Sequence, residues 1–271
     1  MKMPMIMILF YRNSFILTKS AKNVIHYIMI VDFEYTPLLE DFAPDGTLLP
    51  GSILKILENS GNKHSDLAGD NILKGSSNGI AWILTDWLLE ITAYPKYGDK
   101  LMARTWSETV RQPLACMRDF EFYCNGEIVA KGLTKWVLVD LNSSRPLRVS
   151  PELIEKYQPE EKFVFGDLKM PKIAMPAAEQ FTSEIKITPR RSDIDFNNHV
   201  HNLTYLDYAL EALPAAIYNA NRTSFKNVRI SYKTGVKSGE QITCRYAEVE
   251  GKHIVCIFGE DEKLRTQIEL G

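Results

Sequence analysis

Residues 189–217 read PRRSDIDFNNHVHNLTYLDYALEALPAAI, and this stretch organises the chain. A basic pair, Arg190 and Arg191, leads into a polar segment holding Asp193, Asp195, Asn197, Asn198, His199 and His201. Apolar residues then recur at Leu203, Leu206, Leu210, Leu213 and Ile217. Those steps of three and four residues are the period of a helix with one buried face. The spacing predicts a helix over residues 200–220, bent or interrupted at Pro214. It also sets the polar cluster at or just inside the helix N-terminus, where free backbone N–H groups favour negative charge.

Outward from that stretch, each half of the chain repeats one order of elements. FTSEIKITP precedes the polar segment as a strand, and FKNVRISYK, EQITCRYAEV, KHIVCIFGE and EKLRTQIEL follow as four more. In the first half VDFEYTP is a strand, and a Pro/Gly loop leads to a helix for which Ser52 is the expected N-cap. Ile53, Leu54, Leu57 and Gly61 mark its buried face. AWILTDWLLEI alternates, with Ile83, Thr85, Trp87, Leu89 and Ile91 expected on one side. KLMARTWSETV, LACMRDFEFYC and EIVAKGLTKWVLVD complete an antiparallel meander joined by short turns. Gly98-Asp99-Lys100-Leu101 answers Gly239-Glu240-Gln241-Ile242, each at a turn opening a strand. Strand, loop, helix and meander therefore occur twice, an internal repeat of about 100 residues. Two such sheets can join edge to edge and remove the open edge each would carry alone.

The expected divisions are an atypical N-terminal extension over 1–30, a first domain over 31–145, a proline-rich linker over 146–178 with a short helix near Pro151–Tyr157, and a second domain over 179–271. The apolar run Pro4–Phe10 in the extension is too short to span a membrane. The segment GDNILKGSSNG reads as a surface connection.

With 32 Lys plus Arg against 34 Asp plus Glu, the 271-residue chain has a formal net charge of −2, and 45% of its residues are hydrophobic. This describes a soluble globular protein of one large or two ordinary domains, without the concentrated basic surface of a nucleic-acid binder. Cys116, Cys124, Cys244 and Cys256 form no CxxC pair and read as reduced thiols in a cytoplasmic chain.

Several stretches together resemble the plant and bacterial acyl-acyl carrier protein thioesterases. They are WILTDWLLEITAYPKYGDKLMARTW and ACMRDFEFYCNGEIVAKGLTKWVLVDLNSSRPLR in the first half, and RRSDIDFNNHVHNLTYLDYALE in the second. The last resembles the family's Asp-x-Asn-x-His-Val-x-Asn segment with a tyrosine three residues on. The resemblance implies an α+β fold, a tandem double hotdog with two antiparallel sheets each wrapped around a central helix. It implies hydrolysis of fatty acyl-carrier-protein thioesters, with Asp195, Asn197 and His199 as the catalytic residues. No cofactor and no metal is implied beyond the phosphopantetheine arm of the substrate. The implied partner is acyl carrier protein, met by a monomer or homodimer without stable membrane insertion.

In these roles an imidazole exchanges protons near neutral pH. Asn197 holds a water or orients the ring, and Asp195 fixes its tautomer or serves as a base. Without the resemblance, Asn197 and Asn198 read first as turn residues, Asp195 also reads as a helix-approach cap or Asx-turn residue, and His199 reads equally as a structural histidine and as a catalyst. His201 stands where the family commonly has asparagine. One departure matters: the family's glutamate and, in plants, cysteine fall on Gly235 and Val236. A compensating acid would come from Glu240, Asp193 or Glu211. The competing functions are an acyl-coenzyme A thioesterase and a noncatalytic acyl-binding protein. Trp82, Trp87, Met102, Trp106 and Met117 are candidate walls of an acyl channel. Arg190, Arg191, Lys226, Arg229, Lys233 and Lys237 are candidate contacts for an acidic carrier.

Overall fold

In the computed structural model the described residues are 29–70, 79–110 and 114–271, with the two-residue strands Thr18–Lys19 and Ile25–His26. Most of the expected extension, and residues 71–78 of the GDNILKGSSNG connection, lie outside them. The first half consists of β1 (Val31–Tyr35), α1 (Pro50–Leu67), β2 (Ile80–Ile91), β3 (Leu101–Ser107), β4 (Cys116–Cys124) and β5 (Glu127–Asp140). A short β6 (Arg145–Pro146) pairs with β5, and α2 (Pro151–Tyr157) follows. The second half is β7 (Phe181–Ile187), α3 (Thr204–Ala212), α4 (Ala215–Asn221), β8 (Asn227–Tyr232), β9 (Ile242–Val249), β10 (Lys252–Phe258) and β11 (Leu264–Leu270).

All of these strands belong to one 11-stranded antiparallel sheet in the order β1-β3-β4-β5-β2-β8-β11-β10-β9-β7. The halves meet where β2 pairs with β8, from Asn227 opposite Glu90 to Ser231 opposite Asp86. Side chains reinforce the seam: Ser231 Oγ donates to Asp86 Oδ1 at 2.8 Å, and Tyr94 Oη donates to the Phe225 carbonyl at 2.8 Å. Among the described residues no helix is long and apolar enough to cross a membrane.

The duplication is visible bond by bond. Leu49 N donates to the Asp41 carbonyl at 2.9 Å, and His201 N to that of Asp193 at 2.8 Å. Leu48 N reaches the Pro95 carbonyl at 2.9 Å, and Val200 N that of Val236 at 2.8 Å. Gly98 and Gly239 both take positive φ, 93° and 84°. The acids that follow them accept from Lys96 N at 2.7 Å and Lys237 N at 3.1 Å. Asn125-Gly126 and Glu250-Gly251 also take positive φ at both positions, the geometry of a two-residue hairpin turn.

α1 buries Ile53, Leu54 and Leu57 completely against the sheet. It starts at Pro50, where a missing N–H costs nothing, with Leu49 ahead of it and no side-chain cap. Ser52 is thus not the expected N-cap; it lies within the first turn and donates to buried Asp41 Oδ1 at 3.1 Å. The β2 alternation is also corrected. A bulge between Leu84 and Asp86 inserts Thr85 as an extra residue and shifts the side-chain phase. Leu84, Trp87, Leu89 and Ile91 are therefore buried, whereas Ile83 is 43% exposed. In the second half the extended backbone of Leu213 ends α3 before Pro214, where the ring disfavours helical geometry at the preceding residue.

The proline-rich segment between the halves is pinned to both. Ser150 caps α2, Trp106 Nε1 donates to the Lys162 carbonyl at 2.9 Å, and Gln267 Nε2 donates to that of Ala174 at 2.9 Å. All four cysteines are free thiols.

Trp87 stacks on Phe120 with ring centroids 5.2 Å apart. Gly132 on the neighbouring strand leaves the room this needs, since a Cβ there would lie 3.1 Å from Trp87 Cζ3 and 3.4 Å from Phe120 Cβ. Gly132→Val is expected to lower stability by about 1–3 kcal/mol through overpacking, read as a fall in urea midpoint with an unchanged slope.

Candidate active site

The polar segment is a closed loop that precedes helix α3. Ile194 bridges Val200, Asp195 N donates to the His199 carbonyl at 2.8 Å, and Asn198 N donates to the Asp195 carbonyl at 3.1 Å. Asn198 supplies the left-handed residue of the turn, with φ of 60°. Asp195 Oδ1 accepts from the backbone N–H groups of Asn197, at 2.8 Å, and His199, at 3.2 Å. Its first task is therefore to hold the turn. Because α3 begins at Thr204, Asp195, Asn197 and His199 lie ahead of the helix rather than at its N-terminus as expected. His201 alone reaches it, its Nδ1 accepting from Leu203 N at 3.3 Å.

Beneath the loop, Asp193 is almost fully buried. It accepts from Tyr208 Oη at 2.7 Å, Arg190 N at 2.9 Å and Arg190 Nε at 3.0 Å. Burial raises its pKa, but the hydrogen bonds from Arg190 and Tyr208 outweigh this and leave it below the usual carboxylate value.

His199 is half-buried, and among the described residues neither ring nitrogen has a protein hydrogen bond. Its ring lies against Gly235: a Cβ at that position would be 2.8 Å from His199 Cδ2. The backbone of the facing segment is held from two sides. Val236 N donates to Tyr205 Oη at 2.9 Å, and the Val236 carbonyl accepts from Val200 N at 2.8 Å. Val236 itself is fully buried core. The absence of a side chain at 235 is thus what admits the imidazole.

The structure brings the three expected residues onto one small loop, with Asp195 and His199 half-buried and Asn197 exposed. No hydrogen bond joins the three side chains directly among the described residues. The acids considered as substitutes are committed elsewhere or face solvent. Glu240 Oε1 accepts from Arg265 Nη2 at 2.6 Å, Asp193 is held as above, and Glu211 is exposed on α3.

A different carboxyl group approaches the loop. Glu58 of α1 is 7% exposed, and its Oε1 lies 3.7 Å from His201 Nε2 across the boundary between the halves. Its Oε2 is buried without a hydrogen-bond partner among the described residues. Burial drives its pKa up to about 7, the Asp195 carboxylate adds to the rise, and the nearby Trp87 indole opposes it. The indole acts from outside regular hydrogen-bond geometry, since Trp87 Nε1 has no partner among the described residues either. Tyr232 completes the surroundings, its pKa raised by burial and by Glu58; its hydroxyl donates to the Asn202 carbonyl at 2.9 Å. Burial likewise lowers the pKa of His201, against the pull of Asp195. Sequence reasoning missed Glu58 although a signal was present: it lies four residues after Leu54, on the apolar face.

Gly61, less than a turn beyond Glu58 on the same helix, lines a cleft that opens to solvent. Trp82, Met117, Trp136, Leu153 and Ile154 line it. Of the expected wall residues, Trp82 and Met117 border this cleft, Trp87 and Trp106 are buried core, and Met102 borders a separate surface groove. Arg118 brings a buried charge to the cleft, bonded to His64 Nδ1 and packed 5.6 Å from the centre of the Tyr157 ring. Among the described residues no group of three or more His, Cys, Asp or Glu side chains could hold a metal ion.

Comparison with known proteins matches residues 34–157 to the acyl-ACP thioesterase N-terminal domain and residues 177–269 to the acyl-ACP thioesterase C-terminal domain. The oleoyl-acyl carrier protein thioesterase 2 of Arabidopsis thaliana is 28% identical over 166 residues, 57% of this chain and 44% of that protein. The palmitoyl-acyl carrier protein thioesterase of the same plant is 28% identical over 217 residues, 70% of this chain and 50% of that protein. The chain thus spans about half the length of the curated relatives it matches. Among solved structures, the 12:0-ACP thioesterase of Umbellularia californica superposes with a TM-score of 0.80 at 16% identity, covering 89% of this chain and 96% of that one. An acyl-ACP thioesterase from Bacteroides thetaiotaomicron gives 0.78 at 20% identity, covering 89% and 97%. These two likenesses establish the fold.

Gly235→Ala is expected to displace the His199 ring and cost about 1–3 kcal/mol, read as shifted imidazole NMR signals together with a lower unfolding midpoint. Glu58 has a second, pH-dependent signature. Its pKa is 4.5 in an unperturbed chain and about 7 here, so across that window the folded protein keeps a proton that the unfolded chain has lost. Stability contributed by this group falls as pH rises through the window and stays lower above it. Glu58→Gln should therefore gain on the order of 3 kcal/mol over wild type at pH 8 compared with pH 4, measured by urea unfolding at both values.

Proposed function

Because the chain belongs to the acyl-ACP thioesterase family, with both domain models matched in order, we propose that it hydrolyses fatty acyl-[acyl-carrier-protein] thioesters. The products are free fatty acid and carrier protein, in fatty acid biosynthesis, and the setting is cytoplasmic. The two halves are read as tandem hotdog domains over 31–145 and 179–271, with 146–178 as the segment between them. The observation that carries the reading is the asymmetry of the duplicated loop. Ala43, Asp45, Gly46 and Thr47 occupy its first copy, whereas Asp195, Asn197, Asn198 and His199 occupy the second on the same backbone pattern. Only the second copy can exchange a proton through an imidazole.

In the proposed reaction, Asp195 keeps the loop closed and places the imidazole. His199, whose ring nitrogens have no protein hydrogen bond among the described residues, donates to the thioester carbonyl oxygen as it gains negative charge. Asn197, exposed at the rim, hydrogen-bonds the attacking water or the substrate amide. Water adds to the carbonyl carbon, the C–S bond breaks, and the carrier leaves as the thiol. The acyl tail is assigned to the cleft that opens at Gly61. Each buried methylene there is worth about 0.8 kcal/mol, so the depth of the cleft discriminates chain length.

The proposed partner is an acidic acyl carrier protein bearing a phosphopantetheine-linked acyl chain. Arg191, Lys226, Lys233 and Lys237 are exposed around the loop and seam and are candidates to steer it. Arg190 and Arg229 are already paired, with Asp193 and Glu269. Gly235, which brings no carboxylate to the site, is the observation that favours a noncatalytic acyl-binding protein instead.

Thiol release from acyl-carrier-protein and acyl-coenzyme A series separates these readings. Wild type is expected to prefer the carrier-protein series, and His199→Ala to lose at least about a hundredfold, the scale of a general acid-base group. Carrier binding with no release above an Asp195→Ala, His199→Ala double variant would instead identify a binder.

A further inference from the structure

We propose that Glu58, supplied by the helix of the first half, is the carboxyl group that exchanges a proton with the attacking water at the second half's loop. The inference rests on the thioesterase reading and adds to it a residue from the other side of the molecule. Four observations carry it. Glu58 Oε1 lies 3.7 Å from His201 Nε2, so the side chain faces the loop across the seam. Its Oε2 is buried and has no hydrogen-bond partner among the described residues, an arrangement that costs free energy unless another group fills it. Buried Asp41, Glu121, Asp193 and Glu269, by contrast, are each paired with a lysine or arginine. The segment opposite His199 brings no acid of its own, because Gly235 is filled against by the imidazole. Finally, Gly61, three residues on from Glu58 along α1, lines the apolar cleft to which the acyl tail is assigned.

The groups facing Glu58 are Asp195 and His201 from the loop, Trp87 from β2 and Tyr232 from β8. With its pKa at about 7, the carboxyl group changes protonation where a neutral-pH base is most effective. In the step, Oε2 takes a proton from water as the water oxygen bonds to the thioester carbon. The tetrahedral oxyanion then collapses and the C–S bond breaks. Glu58 returns the proton to the departing sulfur and is ionised again, leaving a carboxylic acid and a thiol. No oxidant, metal or second substrate is needed.

The test is steady-state thiol release by the full chain from both acyl-thioester series between pH 5.5 and 9, for wild type, Glu58→Gln, Glu58→Asp and His199→Ala. Glu58→Gln is expected to lose at least about a hundredfold in kcat with KM within about threefold. The wild-type limb, in which kcat falls as pH drops below about 7, should vanish in that variant. Glu58→Asp, one methylene shorter, should keep a rate between the two. If Glu58→Gln stays within about threefold of wild type with the same pH profile while His199→Ala collapses, the Glu58 proposal is wrong and the thioesterase reading stands. If wild type releases no thiol from any substrate, both fall. Should Glu58→Gln fail to fold, Glu58→Asp decides: a wild-type rate and profile there would overturn the proposal.

Discussion

The pairing of β2 with β8 is the constraint on which the rest of this molecule depends. Each half is an antiparallel meander with a helix on one face, and each alone would present an open edge of unpaired backbone donors and acceptors. Joining those edges makes one continuous sheet. It also brings α1 of the first half beside the loop that leads into α3 of the second. Gly51 shows how near the two helices come, since a Cβ there would meet Asp207 Oδ1 at 3.4 Å. The environment of Glu58, with residues from both halves around it, is a product of that join.

The two copies of the loop share one backbone and differ in their side chains. Both copies of the loop make the same ring of backbone hydrogen bonds, both rest on a buried aspartate, and both turn on a positive-φ residue, Gly46 in the first and Asn198 in the second. The aspartates have different partners, Lys55 and Ser52 for Asp41, Arg190 and Tyr208 for Asp193. In the first copy Gly46 and Thr47 are adequate for the turn. In the second the same positions hold Asn198 and His199, and Tyr94, which precedes Pro95, is answered by Gly235 before Val236. The first half keeps a hydroxyl that ties the seam, and the second gives up its side chain to make room for a ring.

Several features were legible in residue order because they depend on local periodicity. The helix after the polar loop, its interruption at Pro214, the hairpin turns, the repeat and the short helix at Pro151–Tyr157 all follow from spacing and turn chemistry. Ser52 and the phase of β2 were misread for the opposite reason. A serine near a helix start looks like a cap until a buried aspartate claims its hydroxyl. Strict alternation through Thr85 fails because a bulge adds one residue on one strand only, a fact that resides in the pairing with β5.

By itself, then, the sequence determined the elements, their duplication and the family, since hydrophobic period, turn residues and the Asp195 to His199 motif are properties of neighbours along the chain. The tertiary structure decided which groups share the site. Glu240 was drawn to Arg265, Asp193 to Arg190 and Tyr208, and Glu58, remote from the motif in sequence, came beside it. Electrostatic environment is set by distance and burial in space. An acid on an apolar helix face therefore carries no visible partner until a second half of the molecule is folded against it.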